Sequence, residues 1–286
     1  TIHDIARYCA HERGIRFVSC PTAASVDGFC STVAAMTWYG FKKTLPAVAP
    51  EIVIADIDII KNAPAALVRS GVGDIMAKYT ALADWRMANL LTGEHLCPRI
   101  YDIMSRAADT VMNSVPGIAA GEERAFADVT YALIMSGIAM QMMGNSRPAS
   151  GAEHHMSHFW ETIIEQRGER PAMHGEQVAV GTVLVLRLIE ELLAADVDFD
   201  AARRAAREYD KAAWESEIRA VYGAAAQAVI DMEAAAGKND TKARLRRIDS
   251  MEKNWDAVCA QLRTLPPAQE IYALLHEVGC PCTPRE

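Results

Sequence analysis

The stretch IRFVSCPTAASVDGF, residues 15–29, decides how the chain is read. Gly14 stops the segment before it, and Ile15–Cys20 gathers Ile15, Phe17 and Val18 into a short run that reads as a buried strand. The run passes directly into Pro21–Phe29, a turn-rich loop of small polar residues. Its Thr22, Ser25 and Asp27 follow a strand end, where open α/β sheets bind their ligands. Upstream, Ile2, Ile5, Ala6 and Cys9 recur on one helical face. Downstream, Pro50 precedes a second strand, Glu51–Asp56, rich in β-branched residues. Helix, strand, loop and strand is the grammar of an open α/β sheet, although two strands cannot make a stable sheet alone.

From about residue 61 the pattern turns helical. Helices are expected near 63–70, 73–91, 98–113, 122–143, 151–166, 175–194, 199–209, 211–235, 240–262 and 267–278. The segment 200–236 mixes alanine with alternating charge, the composition of solvated scaffold helices that pack through one narrow face. The expected architecture is therefore an α/β remainder over residues 1–60 followed by an all-α domain over 61–286. The chain opens on Thr1-Ile2-His3-Asp4, inside the first helix and without a methionine, and closes on Thr283–Glu286; both ends read as cuts.

The 286 residues carry a net charge of −8, which argues against nucleic-acid binding because that needs a basic footprint. A phosphate-bearing ligand then requires a local basic or amide-rich pocket. No membrane span is expected: the strongest apolar run, Val178–Leu193, is broken by Arg187, Glu190 and Glu191. Seven scattered cysteines without a Cys-x-x-Cys pair suit a reducing cytoplasm better than a disulfide framework. Cys280 and Cys282 alone supply too few ligands for a metal.

Four histidines, His154, His155, His158 and His174, fall close together. His154 and His158 stand four apart on an expected helix and share a face, whereas His155 points about 100° away. His174 sits at the mouth of the next helix. Imidazole suits zinc-like ions, and a catalytic site needs about three protein ligands with a position left open. Asp74, between Gly73 and Ile75 at an expected helix entrance, is the best carboxylate to complete the set. Spacing alone leaves two other readings open: a polar surface face for the histidines and an ordinary N-cap for Asp74. The loop Gly144–Gly151 places Arg147 and several amides at the start of the histidine helix. It is either an anion pocket or a plain connection.

Four ordered segments now matter together: PTAASVDGF (21–29), SGVGDIMAKYTALADW (70–85), NSRPASGAEHHMSHFW (145–160) and MHGEQVAVGT (173–182). They resemble the glycerol-1-phosphate dehydrogenase branch, closest to its bacterial members, of the superfamily that holds glycerol dehydrogenase, iron-dependent alcohol dehydrogenases and dehydroquinate synthase. The resemblance runs from residue 1 to about 185. It implies a dehydroquinate synthase-like two-domain architecture, with an α/β dinucleotide-binding domain, a helical domain and the site between them. It also implies an NAD- or NADP-dependent enzyme interconverting dihydroxyacetone phosphate and sn-glycerol 1-phosphate for glycerophospholipid synthesis, cytoplasmic and a homodimer or larger assembly.

By matching motif, Asp74, His154 and His174 would bind zinc, with nickel as the bacterial alternative. Asp27 and His158 would contact the substrate and take part in catalysis, with Asp74 also beside it. Thr22, Ser25 and Ser31 would contact the cofactor, together with Thr1 as the last trace of a glycine-rich phosphate loop that should lie just before it. Arg147 is assigned to the substrate phosphate by charge alone. A metal ion of this kind lowers the pKa of an alcohol so that hydride can leave for the nicotinamide.

The chain also departs from the families it resembles. Iron-dependent alcohol dehydrogenases carry a histidine four residues after the metal aspartate, where this chain has Lys78, and dehydroquinate synthase uses glutamate where it has Asp74. Two alternatives stay in play: a glycerol dehydrogenase acting on unphosphorylated polyols, and a helical metal-binding module without redox activity.

Overall fold

In the computed structural model, which describes residues 2–38 and 41–286, a small α/β segment leads into a helical body. Thr1, expected at the cofactor, lies outside the described residues. The chain opens with α1 (Ile2–Arg13), β1 (Val18–Ser19), a 3-10 turn (Asp27–Cys30), β2 (Val33–Trp38), β3 (Phe41–Pro46) and β4 (Ile52–Val53). Strand β1 pairs parallel to β4, with Val18 opposite Ile52 and Ser19 opposite Val53. Both strands are shorter than the sequence pattern implies. Val18 and Ile52 are exposed, not buried, because no further strand covers them among the described residues. The antiparallel hairpin β2–β3, in register from Val33 opposite Pro46 to Trp38 opposite Phe41, was not expected.

The first helix forms as expected but turns its other side inward. Ile2, Ile5 and Cys9 are exposed, while Arg7 and Ala10 are buried. Arg7 reaches across to the loop after the 3-10 turn and donates to the carbonyls of Ser31 (2.9 Å), Val33 (3.2 Å) and Gly28. Carbonyls left without a ladder partner need donors, and a guanidinium with five N–H groups supplies several at once.

The helical body runs α2 (Ile57–Ile60), α3 (Ala65–Met76), α4 (Lys78–Thr92), α5 (Pro98–Ala119), α6 (Glu123–Met143), α7 (Ala152–Gln166) and α8 (His174–Ala194). It continues through α9 (Phe199–Arg207), α10 (Lys211–Tyr222), α11 (Ala226–Ala235), α12 (Thr241–Lys253), α13 (Trp255–Leu262) and α14 (Ala268–Glu277). The expected helix 73–91 is divided at Ala77, so Asp74 lies in the last turn of α3 and not at a helix entrance. Likewise 211–235 breaks at Gly223, and 240–262 breaks at Asn254. The main core gathers Val72, Ile75, Val111, Leu133, Val183, Leu186 and Ile271 from α3, α5, α6, α8 and α14.

Helix α6, and not the Val178–Leu193 run, is long and apolar enough to cross a membrane by length and composition among the described residues. Here it packs against α5 and against the 3-10 turn that carries Asp27.

Candidate metal centre

The site forms where α3 and α8 cross. A Cβ on Gly175 would lie 1.8 Å from the Ser70 carbonyl oxygen, and one on Gly73 would lie 2.3 Å from the Gly175 carbonyl oxygen. Only glycine lets two backbones come this close. The crossing brings Asp74, in the last turn of α3, beside His174, the first residue of α8. Helix α7 lies along α8 and contributes His154. One potential ligand atom from each of Asp74, His154 and His174 lies within 4.8 Å of the others, so the structure brings the expected triad together. Asp74 is fully buried and His154 is 4% exposed. The alternative of Asp74 as an N-cap does not hold: its Oδ2 accepts the Asp27 amide at 2.8 Å, across 47 residues of chain.

His158 shares the cluster from its edge. Its ring stacks on His174 at 5.5 Å between centroids, and its half-exposed side chain places Nδ1 3.7 Å from Glu161. His155 points outward, as its place on the helix predicts.

Two residues that sequence reasoning left without a role build the site from behind. Glu153 is completely buried and accepts from His154 Nδ1, Thr80 Oγ1 and the Gly151 amide, each at 2.7 Å. A carboxylate can only accept, so Nδ1 carries the proton and Nε2 is left with its lone pair towards Asp74, 3.6 Å away. Lys78 is also completely buried. Its Nζ lies 2.8 Å from Asp27 Oδ2, 3.2 Å from Asp74 Oδ1 and 3.0 Å from the Ala149 carbonyl. The sequence signal for Glu153 was its place beside His154; for Lys78 it was the departure from a histidine.

Burial alone would raise the Asp74 carboxyl. The Lys78 ammonium and the two histidines beside it together outweigh burial and hold Asp74 well below the usual carboxylate range. Burial likewise raises Glu153, but its bonds from His154, Thr80 and Gly151 bring it below its ordinary value. Burial lowers Lys78, and the two aspartates more than reverse this. The carboxylates are therefore charged and ready to hold a cation. One carboxylate oxygen and two imidazoles, buried and oriented from behind, are a donor set that fits a zinc-type divalent ion with positions left over.

Asp27 is buried, with Oδ2 accepting from Ser136 Oγ at 2.8 Å as well as from Lys78. Thr22 is exposed and Ser25 half-buried on the loop after β1, while the buried Ser31 accepts the Val33 amide on its own hydroxyl at 3.1 Å. Arg147 lines a groove of about 380 Å³ together with Asn145, Ser150, His154 and His158. It pairs with Glu94 at 2.7 Å and donates to the Asp84 carbonyl at 3.1 Å. At the start of α7 the backbone amides already have acceptors. The Gly151 and Ala152 amides go to two carboxylates, those of Glu153 and Asp84, at 2.7 Å each.

An α/β lead-in followed by a helical body, with the Asp-His-His cluster inside that body, is the fold of solved glycerol dehydrogenases. Solved structures of a probable glycerol dehydrogenase from Sinorhizobium meliloti (TM-score 0.55, 20% identity, 96% of this chain and 73% of that one) and of glycerol dehydrogenase from Schizosaccharomyces pombe (TM-score 0.56, 20% identity, 92% and 68%) share it. The iron-containing alcohol dehydrogenase family matches residues 1–64, a part that ends before the cluster.

By sequence the chain is a relative of the glycerol-1-phosphate dehydrogenases that carry NAD(P)+ in their name. It is 42% identical to the protein of Geobacillus thermodenitrificans over 186 residues, 65% of this chain and 46% of that one. The Pyrococcus furiosus protein is 40% identical over 188 residues (66% and 53%) and the Bacillus subtilis protein 38% over 208 (72% and 53%). The chain spans about half the length of the curated relatives it matches.

Proposed function

We propose that this chain is the metal- and substrate-binding part of an NAD(P)-dependent dehydrogenase that interconverts dihydroxyacetone phosphate and sn-glycerol 1-phosphate, a reaction of glycerophospholipid synthesis. The observation that carries this reading is the buried Asp74-His154-His174 cluster opening on the groove of Arg147 and His158. The names of the sequence relatives supply the substrate. Residues 1–60 are then the end of a dinucleotide-binding domain and residues 61–286 the helical domain. The seven free cysteines favour a reducing cytoplasm, and the relatives' class suggests a homodimer or larger assembly.

In this reading Asp74, His154 and His174 hold zinc or nickel, and the bound ion supplies Lewis-acid chemistry for exchanging an alcohol with a ketone. Glu153 fixes His154 with Nε2 facing the site. Asp27, held through Oδ2 by Ser136 and Lys78, presents Oδ1 to a substrate hydroxyl. His158, half-exposed at the groove, passes the hydroxyl proton to solvent. Thr22, Ser25 and Ser31 meet the cofactor, and Arg147 meets the phosphate once it leaves Glu94.

The Glu94–Arg147 pair also favours a second reading, a glycerol dehydrogenase, because a neutralised guanidinium suits an unphosphorylated polyol. NAD(P)H oxidation by the full-length protein separates the two. Faster turnover of dihydroxyacetone phosphate than of dihydroxyacetone supports the phosphorylated substrate, and the reverse preference moves the assignment to glycerol.

A further inference from the structure

Lys78 stands between the two aspartates that the proposed function uses differently. Its three ammonium protons have three acceptors: Asp27 Oδ2 at 2.8 Å, the Ala149 carbonyl at 3.0 Å and Asp74 Oδ1 at 3.2 Å. Asp74 Oδ1 is also the oxygen that faces His154 Nε2. The other oxygen of Asp74 is bound by the backbone amide of Asp27, so the Asp27 side chain is tethered within reach of the same corner. One buried ammonium keeps the two carboxylates apart in place and in role.

The charges make the consequence definite. Asp27, Asp74 and Glu153 carry three negative charges in a buried cluster, and Lys78 returns one positive charge. A divalent ion on Asp74 and the two neutral imidazoles brings the cluster to balance. With a neutral residue at position 78, one carboxylate charge would be left buried and unpaired, which is strongly unfavourable. The cheapest relief is for Asp27 to join the ion as a further ligand.

Resting on the reading of Asp74, His154 and His174 as a metal site, we propose that Lys78 is a positioning residue that keeps Asp27 out of the ion's coordination. It holds the protein's contribution at three ligands and reserves Asp27 for the substrate. The position left open on the ion, which catalysis at such a centre requires, is then set by an ammonium that never touches the metal.

The test uses Co2+ alone as the probe, added to metal-free full-length protein. Affinity is read by competition with a chelator, and coordination number by the visible absorption of cobalt, which weakens as ligands are added. Lys78→Gln should bind Co2+ about tenfold more tightly or better and show a weaker visible band. Adding Asp27→Asn to Lys78→Gln should bring both readings back to those of the unaltered protein. An unchanged or looser affinity with an unchanged spectrum in Lys78→Gln overturns the proposal. So does a double variant that stays where Lys78→Gln lies.

Should Lys78→Gln not fold, Asp27→Asn by itself decides. With Lys78 in place, its affinity should stay within about threefold and its spectrum should not move; a loss of about tenfold or more would make Asp27 a ligand already and defeat the idea. If the unaltered protein binds no Co2+, it is the metal site itself that fails, a result distinct from either of these.

Discussion

The α3–α8 crossing and the outer run α9–α12 are both helical, yet they are held in opposite ways. Helix α3 buries every residue from Ser70 to Met76, and α8 buries every residue from Gly175 to Val183. Helices α10 and α12 bury none. The outer helices are fixed by local devices: Asp198, Asp210 and Asp240 each accept amides at the start of their own helix. Arg203 ties α9 to Asp249 and Glu252 of α12 across the surface. The inner pair is fixed by backbone approach and by charged groups whose partners lie 47 and 107 residues away, the Asp27 amide on Asp74 and Arg69 on Glu176. Local devices make helices form, but only the long-range ones can place an aspartate and two histidines around one point.

The glycines offer the sharpest way to break this contrast. Gly175→Ala would push a methyl into the Ser70 carbonyl, where backbone and not a movable side chain must give way. A loss of more than about 4 kcal/mol, with loss of metal binding, is expected by denaturant unfolding and metal titration. The same change at Gly237, in the turn after α11, meets open space and strains only the backbone at φ +62. It should cost about 1 kcal/mol and leave metal binding untouched. Similar losses at the two positions would show that close approach is not what shapes the site.

Within the inner region, Glu153→Gln asks whether a residue that never faces the metal still governs it. Glutamine can keep an oxygen towards His154 but brings no charge to raise the basicity of the ring. Metal affinity should fall about tenfold or more by chelator competition, with the fold retained. An affinity equal to that of the unaltered protein would reduce Glu153 to a packing role.

The same contrast explains what could be read from the sequence. Helix limits marked by Asp, Pro and Gly were legible because those residues act on their own neighbours, as at Asp198, Pro98 and Gly144. The triad was legible because the i,i+4 histidines and ordered motifs survive as strings. What depends on a distant partner was not. Arg147 reads as an open phosphate contact until Glu94, 53 residues earlier in the chain, is seen to hold it. The face of α1 was misjudged because Arg7 is buried for carbonyls that only the folded loop presents. The β2–β3 hairpin went unseen because Val33–Met36 is mostly alanine and methionine, with little β-branched signal. Lys78 was noticed only as a departure, since nothing in its own stretch names Asp27 as a partner.

Asp84 gives the finest test, because it flanks the same glycine as Glu153 and titrates in the opposite sense. The Asp84 Oδ2 and Glu153 Oε2 atoms both lie within 2.9 Å of where a Cβ on Gly151 would stand. Burial pushes the Asp84 carboxyl up to about 6; the Ala152 amide opposes this, and the charge of Glu153 adds to it. An unfolded aspartate ionises near pH ~3.9, so as pH rises the unfolded state loses its proton first and the folded state is penalised. That penalty grows between about pH 4 and pH 6 and is complete above. Glu153, whose folded value is lowered, behaves the other way: its contribution is full above about pH 4.3 and is lost as pH falls below. Asp84→Asn keeps an acceptor for Ala152 and removes the charge that Glu153 opposes. It should therefore raise stability by about 1 kcal/mol at pH 7, and the gain should vanish near pH 4. Unfolding curves at these two pH values check it. A gain that is the same at both would mean that hydrogen bonding, and not the crowding of half-buried Asp84 against buried Glu153, sets the balance at the start of α7.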